Sequence, residues 1–254
     1  MLGISFDTGR GESLLTDLAA RLEGHPLWEA VPPRLADVDP AQGLDGYLAG
    51  LNGDLLAGGD GVAAVIGHCA GASLAAALAA RLRKAGLGRV ALILVDPAVI
   101  DAHAIATEYL LALRTLAAHL PAEDLLRAQL AADGEQSPDL LSVLHRLDSA
   151  YRVAMAAVSQ RLPISEEYQD QLCTRLGSYL SYLTASAWAH DCAAASAITP
   201  AVTVLPAANP TGSASSNASP PTDNPSGAVR FGTDSAHLLG DPALARLVTE
   251  TLSR

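Results

Sequence analysis

Short apolar runs alternate along this chain with stretches in which apolar positions recur every three or four residues. Leu2–Phe6, Val62–Ile66, Val90–Val95 and Ala201–Leu205 are mostly apolar and end at glycine, proline or a polar residue, with a shorter run at Ala228–Phe231. Runs without polar alternation suit strands buried on both faces of a parallel sheet. Helical spacing follows most of them: Ser13 to Leu22, Pro40 to about Ala57, an alanine-rich stretch from Ser73 to Lys84, and a closing helix from Asp241-Pro242 to Leu252. Gly58-Gly59-Asp60-Gly61 stops the second helix and Gly86 the third, the latter after a basic last turn at Arg81, Arg83 and Lys84. That basic turn suits a capped, solvated helix end or the docking of an acidic partner. Pro26, Pro32, Pro33 and Pro40 leave room between residues 24 and 40 for one short strand, expected around Arg34–Val38. Pro206 to Gly227 is rich in Pro, Ser, Ala, Asn and Gly and reads as a mobile loop. The pattern predicts an α/β fold with a mostly parallel central sheet flanked by helices, in one domain carrying an insertion.

The candidate chemistry gathers where the second apolar run stops. Gly67-His68-Cys69-Ala70-Gly71 is the G-x-S-x-G nucleophile elbow with cysteine in the serine position. A nucleophile on a tight strand-to-helix turn needs small neighbours two residues to either side, and Gly67 and Gly71 provide them. The positive end of the following helix favours the thiolate, the reactive form of Cys69. A small core cysteine in a β-turn-α unit would fit the same letters. After Leu2–Phe6, Asp7-Thr8-Gly9-Arg10-Gly11 is a glycine-bearing turn leading to a helix. In an α/β hydrolase this first loop supplies half of an oxyanion hole, the other half being the N–H after the nucleophile. That assigns Ala70 as one donor and Thr8 or Gly9 as the other, although an ordinary strand-helix connection reads the same way. Asp96-Pro97 stands at the carboxyl end of Val90–Val95, where open α/β sheets bind ligands, though Asp before Pro also opens turns. His237 follows the last run on the segment Gly232-Thr233-Asp234-Ser235-Ala236-His237. The order Cys69, Asp96, His237 is the nucleophile, acid, base order of α/β hydrolases.

Charge and composition narrow the partners. The net charge of -11 argues against a nucleic-acid partner, because phosphate binding needs a basic patch. No uninterrupted apolar run approaches the roughly 18 residues of a membrane span, and the short run after Met1 lacks the basic flank of a signal peptide. Cys69, Cys173 and Cys192 fit neither a disulfide framework nor zinc-ligand spacing, so no metal is expected. A cytoplasmic, reduced protein is expected.

The layout resembles the thioesterase domains of nonribosomal peptide and polyketide synthases over nearly the whole chain. The matching residues are the Leu2–Phe6 strand with its glycine loop, Gly-His-Cys-Ala-Gly-Ala at 67–72, Leu-Val-Asp-Pro at 94–97, and Ser-Ala-His-Leu-Leu at 235–239 before a closing helix. The resemblance implies an α/β-hydrolase fold with a core at 1–102 and 195–254, interrupted by a helical lid at 103–194. Candidate lid helices run 103–120, 122–132, 138–161 and 165–194, broken by Pro121, the Gly134–Pro138 turn and Pro163, with Ser137-Pro138 and Ser165 as starts. Leu110, Leu111, Leu113, Leu116 and Leu183 of that segment are apolar surface an acyl chain would touch. Many type I members carry the acid after the strand following the elbow, as Asp96 is here. Type II members place it after the penultimate strand, where this chain reads Ala207-Ala208-Asn209.

It further implies a Cys69–His237–Asp96 triad, with Asp96 on the imidazole nitrogen facing away from the thiol, and substrate contacts from His68, Tyr179, Tyr182 and Trp188. No bound cofactor is implied. The acyl or aminoacyl substrate arrives on the phosphopantetheine arm of an acyl or peptidyl carrier protein. The chain departs from the family in its cysteine and in Asp7-Thr8, where a His-Pro or similar dipeptide is usual. A Cys69 acyl-enzyme is a thioester, close in energy to the carrier thioester, and suits transfer to an amine, an alcohol, a second carrier or water. Two other readings remain: a dienelactone-hydrolase-like esterase, which also uses G-x-C-x-G, and a non-catalytic binding protein on a hydrolase scaffold.

Overall fold

Six strands, all parallel, form one sheet among the described residues, in the order β2-β1-β3-β4-β5-β6. They are β1 (Leu2–Ile4), β2 (Trp28–Glu29), β3 (Ala64–His68), β4 (Ala91–Val95), β5 (Val202–Leu205) and β6 (Ala228–Arg230). The structure is a computed structural model and describes residues 1–7, 12–34, 42–57, 61–87, 89–133, 139–193, 199–207 and 228–253. The expected α/β class, with a parallel sheet flanked by helices, is what the chain adopts. The connecting helices are α1 (Leu15–Ala19), α2 (Gly43–Ala57), α3 (Gly71–Lys84) and, at the end, α8 (Pro242–Leu252).

The second strand among the described residues is Trp28–Glu29. Of the strand expected around Arg34–Val38, Arg34 lies outside any strand and residues 35–38 lie outside the described residues. The Trp28 N–H donates to the Met1 carbonyl at 2.9 Å and the Ala30 N–H to the Gly3 carbonyl at 2.9 Å. Pro32 and Pro33 have no N–H to extend that ladder.

Alternate positions of β3 serve opposite faces of the sheet. Ala64 and Ile66 join Ile93, Val95, Val202 and Val204 in a core with Leu15 and Leu18 of α1, Leu238 and Leu239, and Leu244 and Val248 of α8. Gly67 faces α3. A Cβ there would lie 2.6 Å from the Ala75 Cβ, 2.7 Å from the Ala72 Cα and 2.8 Å from the Gly71 carbonyl oxygen. The alanine-rich face of α3, with Ala72, Ala75 and Ala79 buried, permits this close approach.

The chain divides into two compact units, one of Met1–Pro32, Gln42–Val99 and Trp188–Arg254, the other of Pro33–Ala41 and Ile100–Ala187. The second is helical: α4 (Ala102–Leu116), α5 (Ala122–Asp133), α6 (Leu140–Ser159) and most of α7 (Glu166–Ala193). Side-chain caps start three of them. Asp101 accepts from the Ala104 N–H, Asp139 from the Leu141 and Ser142 N–H groups, and the Ser165 hydroxyl from the Tyr168 N–H. The α6 cap is thus Asp139, whereas the expected start at Ser137-Pro138 lies outside the described residues. The Tyr109 hydroxyl donates to the Ala128 carbonyl and the Arg146 Nε to the Ala131 carbonyl, tying α5 to α4 and to α6. Of the apolar residues singled out in this segment, Leu113, Leu116 and Leu183 are buried and Leu111 is exposed.

Gly67→Ala should lower stability by about 1–3 kcal/mol, because the new methyl meets backbone as well as side-chain atoms. Urea unfolding measures this; an unchanged midpoint would contradict the close β3–α3 packing.

Candidate active site

Two residues with side chains beyond glycine take a positive φ among the described residues, Cys69 at 50° and Asp96 at 47°. Such a conformation costs of order 1–3 kcal/mol and persists only where the surroundings hold it. Here the two hold each other. The Cys69 N–H donates to the Val95 carbonyl at 3.0 Å and the Ala98 N–H to the Cys69 carbonyl at 3.2 Å, so the chain turns off β3 and β4 side by side. The Asp96 N–H donates in turn to the Val204 carbonyl at 2.8 Å, tying this pair of turns to β5.

Cys69 is exposed and directly precedes Ala70, the N-cap residue of α3. At that position the first N–H groups of the helix lack intrahelical acceptors. Cys192 is also exposed, whereas Cys173 is buried and burial pushes its thiol up. Thr8 and Gly9, the other expected oxyanion donors, lie outside the described residues.

His68 ends β3 and is only 9 % exposed. The β1–β3 register pairs Gly3 with Ile66 and Ile4 with Gly67, which sets Ser5 beside His68. The Ser5 hydroxyl meets the His68 Nδ1 at 3.3 Å. Burial pushes the His68 imidazole below its ordinary value, and the negative charge of Asp96 opposes that shift. His68 is therefore a buried, neutral ring at the base of the two turns. Ser5 escaped the sequence reading, since its pairing depends on β1 and β3 being neighbours.

The segment after β6 carries His237 in a 3-10 turn, Ser235–Gly240, capped by Asp234. It is anchored on several sides. The Ala236 carbonyl accepts from the Ser13 N–H at 2.7 Å, Leu238 and Leu239 are buried, and the Thr233 hydroxyl donates to Asp241. The expected direct pair between His237 and Asp96 is replaced by two others. The His237 Nδ1 lies 2.7 Å from the Asp234 carboxylate, and the Asp96 carboxylate accepts from the Ser235 hydroxyl. The physical reason is local: the cap that starts the 3-10 turn already places a carboxylate against the ring three residues on. The hydrogen bond from His237 holds the Asp234 carboxyl below the usual carboxylate range. An acidic N-cap three residues before a histidine was the available signal for Asp234. Ser235 nevertheless brings Asp96 and the His237 segment into contact.

Tyr179 and Tyr182 belong to the helical unit, where Tyr182 is buried and Tyr179 half-buried. Trp188, half-buried, belongs to the sheet unit. Among the described residues no group of His, Cys, Asp and Glu could hold a metal ion, and no helix is long and apolar enough to cross a membrane.

The family described as "Thioesterase domain" matches residues 41–217, more than half of the chain. This chain belongs to that family. Among solved structures, a four-domain nonribosomal peptide synthetase in its holo form, bound to AMP and glycine, has a similar fold in part of its chain, at a TM-score of 0.50 and 15% identity. The alignment covers 98% of this chain and 19% of that much longer one. The Vlm2 thioesterase domain, bound with a dodecadepsipeptide, aligns over 98% of this chain in two crystal forms. One covers 91% of that domain at 17% identity and the other 97% at 18%, each at a TM-score of 0.45. No curated protein matches the chain. The fold itself is a parallel sheet flanked by helices.

Burial of neutral His68 gives a signed pH dependence. Its contribution to stability is complete above the ordinary imidazole value of 6.5 and is lost as pH falls below that value, since the unfolded chain then binds the proton more readily. His68→Gln keeps a polar partner for Ser5 and should flatten the fall in Tm between about pH 7.5 and about pH 5.5. Identical slopes for both proteins would show that the ring titrates freely in the fold.

Proposed function

We propose that this thioesterase-family protein is an acyltransferase that takes an acyl or aminoacyl group from a carrier-protein thioester onto Cys69 and passes it to an acceptor. The observation that carries this reading is the strained turn at Cys69, hydrogen-bonded to an equally strained turn at Asp96. The conformation has a cost, and it exposes a thiol at the start of a helix where a nucleophile is useful.

In the proposed reaction the Nε2 of His237 takes the Cys69 thiol proton and the thiolate attacks the carbonyl carbon of the incoming thioester. The Ala70 N–H, with a first-loop N–H from Thr8 or Gly9, receives the oxyanion. Collapse breaks the bond to the phosphopantetheine sulfur, and that thiolate recovers the proton from the imidazolium. The acceptor then attacks the Cys69 thioester by the same steps, with His237 removing its proton and Cys69 leaving as the thiolate. Asp96 contributes a fixed negative charge at the end of β4 and a hold on the His237 segment through Ser235.

The neutral His68 ring under the elbow and Trp188 are assigned to substrate contact. The partner is an acyl or peptidyl carrier protein of a natural-product pathway, in keeping with membership of a thioesterase family. Transfer rather than hydrolysis follows from the sulfur. An acyl group leaving one thioester for another loses little free energy, so loading is reversible and the Cys69 adduct still drives acylation of an amine, an alcohol or another thiol. A serine ester would retain less.

Single-turnover acylation and transfer, with one loaded carrier and a set of acceptors, tests the reading. Cys69→Ser should still be acylated but should transfer far less than the wild type, stalling as an ester or releasing acid to water. Equal transfer by both proteins would make the thiol incidental and the protein a hydrolytic thioesterase.

A further inference from the structure

We infer that Asp234, not Asp96, is the carboxylate that orients His237, and that Asp96 acts one step removed by holding the His237 segment through Ser235. This division of labour rests on the assignment of His237 as the base for Cys69. One oxygen of Asp234 makes both contacts, accepting from the His237 backbone N–H at 3.0 Å and meeting the ring Nδ1 at 2.7 Å. An ionised carboxylate only accepts, so the Nδ1 carries the proton, and in the neutral ring this leaves the Nε2 bare, the tautomer a base requires. Asp96 is engaged elsewhere. Its backbone is fixed by the bond to Val204, and its carboxylate receives the Ser235 hydroxyl, two residues before the imidazole.

Moving His237 onto Asp96 would break the Asp234 contacts with the ring and the His237 N–H. It would do so against the anchors at Ser13, Leu238 and Leu239 that fix the turn. The Asp234–His237 pair is too exposed, at 65 % and 71 % of the side chains, to matter for folding stability. Its consequence lies in the direction and protonation of the ring. The charged group against the ring is Asp234, while Asp96 meets the same segment at Ser235 and Asp241 at Thr233, and the buried His68 stands within reach of the Asp96 charge.

Asparagine caps a helix as well as aspartate does, so a purely structural role for Asp234 predicts that Asp234→Asn is silent. The experiment follows the pH profile of Cys69 alkylation by iodoacetamide, resolved by peptide from Cys192, and the His237 tautomer by nitrogen NMR, in the full chain. Asp234→Asn should shift the alkylation profile, lose the Nδ1-protonated tautomer and slow single-turnover acylation by about a hundredfold. Asp96→Asn and Ser235→Ala should leave the Nδ1-protonated tautomer in place while speeding amide hydrogen exchange across residues 235–239. The reverse result, a shifted profile with Asp96→Asn and none with Asp234→Asn, would overturn the inference, as would silence in both. His237→Ala separates the two levels: if it leaves Cys69 reactivity and acylation unchanged, the assignment of His237 as the base fails as well.

Discussion

Backbone strain at the carboxyl ends of two neighbouring parallel strands is the constraint on which the site depends. Cys69 and Asp96 both sit in a conformation that side chains avoid, and the hydrogen bonds linking Cys69 with Val95 and Ala98 make the two turns one unit. That unit needs β3 and β4 to be adjacent and in register, with His68 opposite Val95. It also needs α3 to approach β3 closely enough that Gly67 has no room for a side chain. The alanine face of α3 and the apolar core on the other side of the sheet are how the sequence meets both demands. The stability of the sheet thereby offsets the cost of presenting one thiol and one carboxylate to the same edge.

The histidine proposed as the base, His237, comes from far along the chain and is positioned by different means. His237 rides on a 3-10 turn seated by buried Leu238 and Leu239 and capped by Asp234. Polar contacts then fix its orientation: Asp234 on the ring, Ser235 on Asp96, and Thr233 on Asp241, the N-cap of α8. Packing sets where the turn lies and hydrogen bonds set where the ring points, so polar substitutions on this segment should affect chemistry more than folding.

Much of this was legible in the sequence because it is written in local patterns. Continuous apolar runs identify β3, β4 and β5, and the glycines at 67 and 71 mark the elbow around Cys69. Pro121 and Pro163 likewise separate the helices of the second unit. What escaped notice depends on neighbours distant in sequence or on cues with two meanings. The second strand, Trp28–Glu29, is an exposed edge strand of two residues without an apolar run, defined by its hydrogen bonds to β1. Ser5 meets His68 only once the β1–β3 register is known. Asp234 reads as an ordinary turn residue, and its contact with His237 follows from a cap geometry that the letters Asp-Ser-Ala-His permit without requiring.

In the proposed reaction Cys69 carries the acyl group as a thioester during transfer. Mapping the adduct tests it most directly: a loaded carrier is mixed with the protein, the reaction is quenched in acid within one turnover, and the cysteine-bearing peptides are weighed. With Cys69 as the carrier, the acyl mass is found on the peptide containing Cys69, removed by hydroxylamine, with Cys173 and Cys192 unmodified. Turnover with no adduct, or an adduct on Cys192 alone, would contradict it.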